Sequence, residues 1–280
     1  LKQHIDRYGI LGISYCGSTL LSSILGQSPR TFSCGETHWI LDKRDTFHCT
    51  VHPKKCDFWT KELLEELNIK NYYNRVVEEA YSRYKCTSVI FSDKNSCFYL
   101  PAIENGAIIT KFILLFRKPE AFATSWLKKP ANKNKSLNTA LMLYRDGYNK
   151  NLELAKGFNV PLVKVFYDDF VNNPAQFIRI LCKKLYIQYT PKMLDYWNIT
   201  EKTHNIGGNA MMWLNVGREE KFDQMYQQSQ RTDLEWYKAN RKKIIPDNRW
   251  EEWLTKEQKN VILNSDAQKV FEGMMENRLV

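Results

Sequence analysis

Eight residues near the amino terminus, Gly12-Ile13-Ser14-Tyr15-Cys16-Gly17-Ser18-Thr19, have the spacing of a phosphate-binding loop: glycine, four residues, glycine, then a hydroxyl side chain. Glycine lets the backbone curl so that successive amides converge on one anion. A helix starting near Ser18 would add unsatisfied N–H groups and its dipole. Where ATP- and GTP-hydrolysing loops carry a lysine that reaches the outer phosphates, this loop has Ser18. An ordinary nucleoside triphosphatase is thereby disfavoured, and the bland alternative is a tight strand-to-helix turn. Cys49 and Cys56, on either side of a polar loop containing Pro53, form a second grouping that could make a disulfide or half a metal site. No second close pair of cysteines completes four ligands, so no metal is expected. Lys128, Lys129, Lys133 and Lys135 form the densest basic run. It suits an anionic partner or a solvated loop equally well.

The apolar pattern supplies elements that would position these groups. Tyr8 to Ser14 is a short apolar run, and after Gly17 come Leu20, Leu21, Ile24 and Leu25 at helical spacing as far as Gly26 and Pro29. Val89-Ile90-Phe91 runs into Ser92-Asp93-Lys94. Lys111 to Phe116 is a continuous strand pattern ending at Arg117, with Pro119 placed for a first helical turn. Val163 to Phe166 leads into Tyr167-Asp168-Asp169-Phe170, and Pro174 opens an amphipathic helix through Ile178, Leu181 and Leu185. Longer helical patterns cover about 60–85 and 136–158, with a final one after Trp253. Short buried strands alternating with helices predict an α/β fold, a central parallel sheet flanked by helices, and the glycine loop between the first strand and helix makes the expected type the P-loop nucleotide-binding one. No repeat or low-complexity linker divides the chain, so 1–280 is expected to be one domain. The stretch 205–250 opens with Gly207-Gly208-Asn209, then shows few periodic apolar positions, and is expected to be a long irregular cover over the site.

The chain has 280 residues, 41 Lys+Arg against 31 Asp+Glu, a formal charge of +10 and 43% hydrophobic residues, a globular composition rather than a disordered or fibrous one. No apolar stretch approaches the roughly 20 residues of a membrane-spanning helix, and the opening LKQHIDRY lacks the apolar centre of a signal peptide. Seven sparse cysteines point to a reducing compartment, hence the cytoplasm. Because the chain opens on Leu1, a preceding anchor is conceivable, and the Golgi lumen is then the alternative. Aromatic residues are plentiful, but no RNA-binding signature interleaves them with basic ones, so nucleic acid is not an expected partner.

Five pieces occur in one order: GISYCGSTLLSSILGQSP, SCGETHW, FRKPEAFATSW, FYDDFVNNPAQF and HNIGGNAMMW. Together they resemble the sulfotransferases that use 3'-phosphoadenosine 5'-phosphosulfate (PAPS), over roughly residues 8 to 215. The closing DNRWEEWLTKEQ is similar to that family's last helical segment. The resemblance implies that Cys16, Gly17, Ser18 and Thr19 form the 5'-phosphosulfate loop. It implies that Arg117 and Ser125 hold the 3'-phosphate, at the carboxyl edge of the sheet where ligands collect in open α/β folds. Glu36 aligns with a glutamate used as general base, and His38 competes for that task because other members use histidine. On an extended segment, residues two apart share a side, so the two could also cooperate.

One departure is chemical. Many relatives carry arginine or lysine before the Ser-Gly of the loop; here that position is Tyr15, whose hydroxyl donates one hydrogen bond but carries no positive charge at neutral pH. Lys94 and the lysines near 128 are the candidates to meet transition-state charge instead. His204, Gly208 and Asn209 resemble the segment that closes over the nucleotide. The implied reaction is sulfuryl transfer from PAPS to a hydroxyl or amine, without a metal. The expected acceptor is a small natural product, with Phe58, Trp59, Tyr72, Tyr73, Met211, Met212 and Trp213 as candidate pocket residues. A non-catalytic nucleotide-binding protein and a small-molecule kinase are the rivals.

Overall fold

The computed structural model describes residues 4–42, 49–52, 56–198, 201–209, 211–228 and 233–280. Its centre is a sheet of β1 (Asp6–Leu11), β2 (Thr31–Gly35), β3 (Ser88–Lys94), β4 (Lys111–Phe116), β5 (Leu162–Phe166) and β6 (Thr203–Ile206). The strands lie in the order β5-β4-β1-β3-β2-β6, and every pairing is parallel. A parallel sheet needs crossovers, and the crossovers cover both faces with helices. That is why β4 reads as an unbroken apolar run: Phe112, Leu114 and Phe116 join the core cluster on one face, and Ile113 and Leu115 join the cluster on the other. Each such side chain, fully withdrawn from water, contributes about 1.5–3 kcal/mol.

The helix Ser18–Gly26 packs Leu21, Ile24 and Leu25 on one face beside Phe177, Ile178 and Leu181 of the helix Pro174–Leu185. The helices Tyr72–Tyr84 and Leu137–Gly157 cover the opposite face. The register shifts between Gly9 and Leu11 on β1, and between Ser33 and Gly35 on β2. Both irregularities fall near strand ends, where such bulges re-aim the residues that follow.

Three features depart from the sequence pattern. The pattern over 60–85 is two helices, Lys61–Glu66 and Tyr72–Tyr84. Between them Asn68 N–H donates to Asn71 Oδ1 and Asn71 Nδ2 donates to the Glu66 carbonyl, local bonds that displace the helical ladder. β2 and β6 have little apolar signature, because their buried polar side chains are satisfied across the sheet: Ser33 Oγ donates to Asn205 Oδ1 of β6 at 2.9 Å, and the Thr31 hydroxyl meets that of Ser88 on β3 at 2.8 Å. The region 205–250 is not simply irregular. It carries the short helices Met211–Asn215, Glu219–Gln228 and Leu234–Ala239, which share a small core of Leu214, Phe222 and Tyr226. Among the described residues, no helix is long and apolar enough to cross a membrane.

Candidate active site

A cavity of about 500 Å³ opens at the carboxyl ends of the strands, and every strand leads into it. After β1 come Tyr15, Gly17, Ser18 and Thr19, after β2 Glu36, and at the end of β3 Lys94. After β4 comes Arg117, after β5 Tyr167, and after β6 Gly207, Gly208 and Asn209. Ser125 reaches it from the helix Pro119–Leu127. This is where open parallel sheets collect ligands.

The loop owes its shape to left-handed backbone. Tyr15 has φ 66° and Gly17 φ 96°. A Cβ on Gly17 would come within 2.5 Å of the Tyr167 ring, so glycine is required by backbone conformation and by that neighbour, not only by a ligand's approach. The helix Ser18–Gly26 starts at Gly17 with no side-chain cap, and Gly17, Ser18 and Thr19 of its first turn line the cavity. Thr19 Oγ1 accepts from Asn209 N–H at 3.0 Å and so ties the loop to the residues after β6. Cys16 departs from its expected role. Its side chain is buried in the core, burial pushes its thiol up, and its amide donates to Ile13 O.

Glu36 and Lys94 face each other across the cavity floor, with Lys94 Nζ donating to Glu36 Oε1 at 2.6 Å. Trp39 Nε1 donates to Glu36 Oε2 at 3.2 Å, so both carboxylate oxygens are held. Lys94 has φ 64°, a costly conformation for a non-glycine residue, and such strain clusters at functional sites. His38 does not share Glu36's side. The chain turns rather than extends, with Gly35 at φ 72° and Trp39 N–H donating to Glu36 O. His38 Nδ1 donates to Asp93 Oδ1 at 2.8 Å, and its ring stacks on Phe98 with centroids 3.8 Å apart. The fully buried Asp93 also accepts from His38 N–H, Thr37 and Tyr73. His38 therefore belongs to a buried polar network behind the site.

Arg117 is 7% exposed. Its Nη1 donates to Tyr15 O at 3.3 Å and its Nη2 to Asp247 O at 3.2 Å. Its Nε has no partner among the described residues, an unmet donor at the cavity wall. The guanidinium sits 4.5 Å from the centroid of Tyr167, whose hydroxyl is pushed up to about 12 by burial, so the ring stays neutral under the cation. Asp247 lies 4.0 Å from Arg117 and is chelated by Arg249 at 2.7 and 2.8 Å. Burial alone would push that carboxyl up. The hydrogen bonds and charge of Arg249, with the charge of Arg117, more than offset this and hold it below the usual carboxylate range. Lys129 also lines the cavity, 6.0 Å from the Tyr15 ring centroid.

The cavity thus gathers Tyr15, Gly17, Ser18, Thr19, Glu36, Lys94, Arg117, Ser125, Gly208 and Asn209, but neither Cys16 nor His38. His204 is also elsewhere, with Nδ1 3.2 Å from Cys56 Sγ. Of the candidate acceptor residues, Met211 and Met212 line the cavity, whereas Phe58, Trp59, Tyr72 and Tyr73 are buried in the core and Trp213 packs against the small third cluster. Sequence reasoning missed Tyr167 as a wall residue, although its place directly after β5 was a usable signal. It also missed Trp236, Tyr237, Lys243 and Asp247, which come from the cover and had no periodic signal.

Residues 9–191 match the Sulfotransferase family, and the chain belongs to that family of transferases. Among solved structures, it is similar to the sulfotransferase domain of the Synechococcus PCC 7002 olefin synthase, with a TM-score of 0.53, 17% identity, and coverage of 71% of this chain and 80% of that one. A mouse sulfotransferase, SULT7A1 complexed with PAP, aligns at a TM-score of 0.44 and 13% identity, covering 96% and 89%. A sulfotransferase from Alicyclobacillus acidocaldarius aligns at 0.40 and 14%, covering 83% and 98%. No curated protein matches the sequence.

Proposed function

We propose that this protein transfers a sulfuryl group from PAPS to a hydroxyl, or less often an amine, of a small-molecule acceptor. The observation that carries this proposal is the convergence of an uncapped helix start, the Glu36–Lys94 pair and Arg117 around one cavity. The residues present fit the donor nucleotide: Arg117 Nε is a buried donor without a partner among the described residues, and the helix start at Gly17, Ser18 and Thr19 lines the cavity. The nucleotide brings an already activated sulfuryl group, so the protein's task is orientation, charge and proton removal.

In this scheme the amides of Gly17, Ser18 and Thr19, with the two hydroxyls, hold the 5' anion. Arg117 and Ser125 hold the 3'-phosphate, with Tyr167 bracing the guanidinium. Lys94 supplies the positive charge that Tyr15 lacks, and the register shift between Gly9 and Leu11 sets Lys94 opposite Leu11 beside the loop. Glu36 accepts the acceptor's proton at a carboxylate oxygen, held in place by Lys94 and Trp39. Met211 and Met212 offer an adaptable apolar wall for a partly apolar acceptor. A cytoplasmic location belongs to the same proposal, supported by cysteines that are sparse for the length of the chain.

A labelled-sulfate transfer screen against metabolites, glycans and tyrosine peptides tests this function. Transfer to small hydroxylated metabolites is expected. A chain that binds the nucleotide tightly yet transfers to none of the three classes would be a binding protein instead.

A further inference from the structure

Cys49, His52, Cys56 and His204 bring two sulfur and two nitrogen ligand atoms within 4.8 Å of one another, away from the cavity at the β2–β6 edge. We propose that these four side chains form a tetrahedral zinc site that clips the segment carrying Cys49, His52 and Cys56 to β6. The spacing suits one loop delivering three ligands, with two residues between Cys49 and His52 and three between His52 and Cys56. The fourth ligand arrives from the sheet, 148 residues beyond Cys56. This is why the cysteines alone looked like half a site: the missing pair is two histidines.

The distances match a metal-centred tetrahedron. Cys49 Sγ lies 3.5 Å from His52 Nδ1, and Cys56 Sγ lies 3.2 Å from His204 Nδ1. Zinc bonds of about 2.3 Å to sulfur and 2.0–2.1 Å to nitrogen, at tetrahedral angles, place sulfur and nitrogen about 3.5 Å apart. His204 is already oriented for ligation. Its Nε2 lies 2.6 Å from the Glu201 carbonyl, which can only accept, so Nε2 carries the proton and Nδ1 turns its lone pair towards Cys56. The Tyr84 hydroxyl, 2.9 Å from Nε2, and the Phe32 ring, stacked at 5.5 Å, fix the imidazole further. Outer contacts of this kind set the tautomer of ligating histidines.

The charge also balances. Two thiolates neutralise Zn²⁺ and the imidazoles add nothing, so the loaded site is neutral. Loading releases one proton from each thiol that was protonated. A Cys49–Cys56 disulfide would use only the sulfurs and give neither imidazole a part. Four protein ligands leave no open position, so the metal is structural rather than catalytic. It would act on the cavity through β6. Thr50 N–H donates to Asn205 O at 2.8 Å and its hydroxyl to Gly207 O at 3.0 Å, just before Gly208 and Asn209 at the cavity wall.

The test uses the whole chain, purified under reducing conditions. Elemental analysis is expected to find about one zinc per chain, and cobalt exchange to give the visible bands of a tetrahedral S₂N₂ site. His52→Ala, at a partly exposed ligand, and Cys56→Ser should each weaken zinc about tenfold or more in a chelator competition while circular dichroism stays native. If either variant unfolds, the cobalt spectrum of the unaltered chain decides. A reduced, folded chain that takes up no zinc when offered it overturns the proposal. So does a native Cys49–Cys56 disulfide in peptide mapping, or zinc held at full affinity by both variants.

Discussion

At the centre of the sheet, the residues after β1 and at the end of β3 are held by backbone: Tyr15 and Lys94 in the left-handed region, Gly17 pressed against Tyr167, and Gly12 N–H donating to Lys94 O at 2.8 Å. At the β2–β6 edge the holding is done by side chains. Asp93, on β3 beside that edge, anchors Thr37 and His38 after β2 together with Tyr73, while Ser33 and Asn205 join β2 to β6 and Cys56 meets His204 of β6. Backbone strain is local and unforgiving, so a change at the centre should cost binding or turnover. Side-chain networks are spread over many partners, so a change at the edge should cost stability first.

Gly17→Val is the most damaging way to test that contrast. Its Cβ meets the Tyr167 ring and its φ of 96° suits no β-branched residue, so nucleotide binding should vanish in calorimetry, with about 1–3 kcal/mol of strain in thermal unfolding. Wild-type affinity in a folded variant would remove the loop from the site. Next comes Glu36→Gln, which keeps size but cannot take a proton. Steady-state turnover should fall by about 10²- to 10⁴-fold while nucleotide affinity stays within a few-fold.

His38→Asn sharpens the comparison, because it lies two residues from Glu36 but on the buried side. It should lower stability by about 1–3 kcal/mol through the ring bond that the buried Asp93 loses, with turnover little changed. If instead His38→Asn is inactive and Glu36→Gln is not, the roles are reversed. The smallest effect concerns Asp247. Its folded carboxyl sits below its unfolded value of about 3.9, so its contribution is complete above that pH and is lost as pH falls through the folded value. Melting temperature should therefore drop in that acid range, and Asp247→Asn should flatten that part of the profile.

The centre was legible in the sequence because its signals are local. β4 is an unbroken apolar run after Lys111 and β1 and β5 are mainly apolar, and Gly17 and Arg117 follow within a few residues of their strand ends. The edge was not, because β2 and β6 bury serine, threonine, histidine and asparagine that only their partners explain. Glu36 and His38 were separable only by the turn after Gly35, which alternation along an extended segment cannot foresee. The short helices of the cover carry too few turns to show a period, and so Asp247 beside Arg117 gave no warning.

The central claim is that this cavity binds a 3'-phosphorylated adenosine nucleotide through Arg117. Calorimetric titration of 3'-phosphoadenosine 5'-phosphate and of ADP, against the unaltered chain and Arg117→Ala, tests it most directly. The unaltered chain should prefer the 3'-phosphorylated nucleotide, and Arg117→Ala should cost that nucleotide about 2–4 kcal/mol while scarcely changing ADP. A preference for ADP, or an equal loss for both nucleotides, would contradict the account.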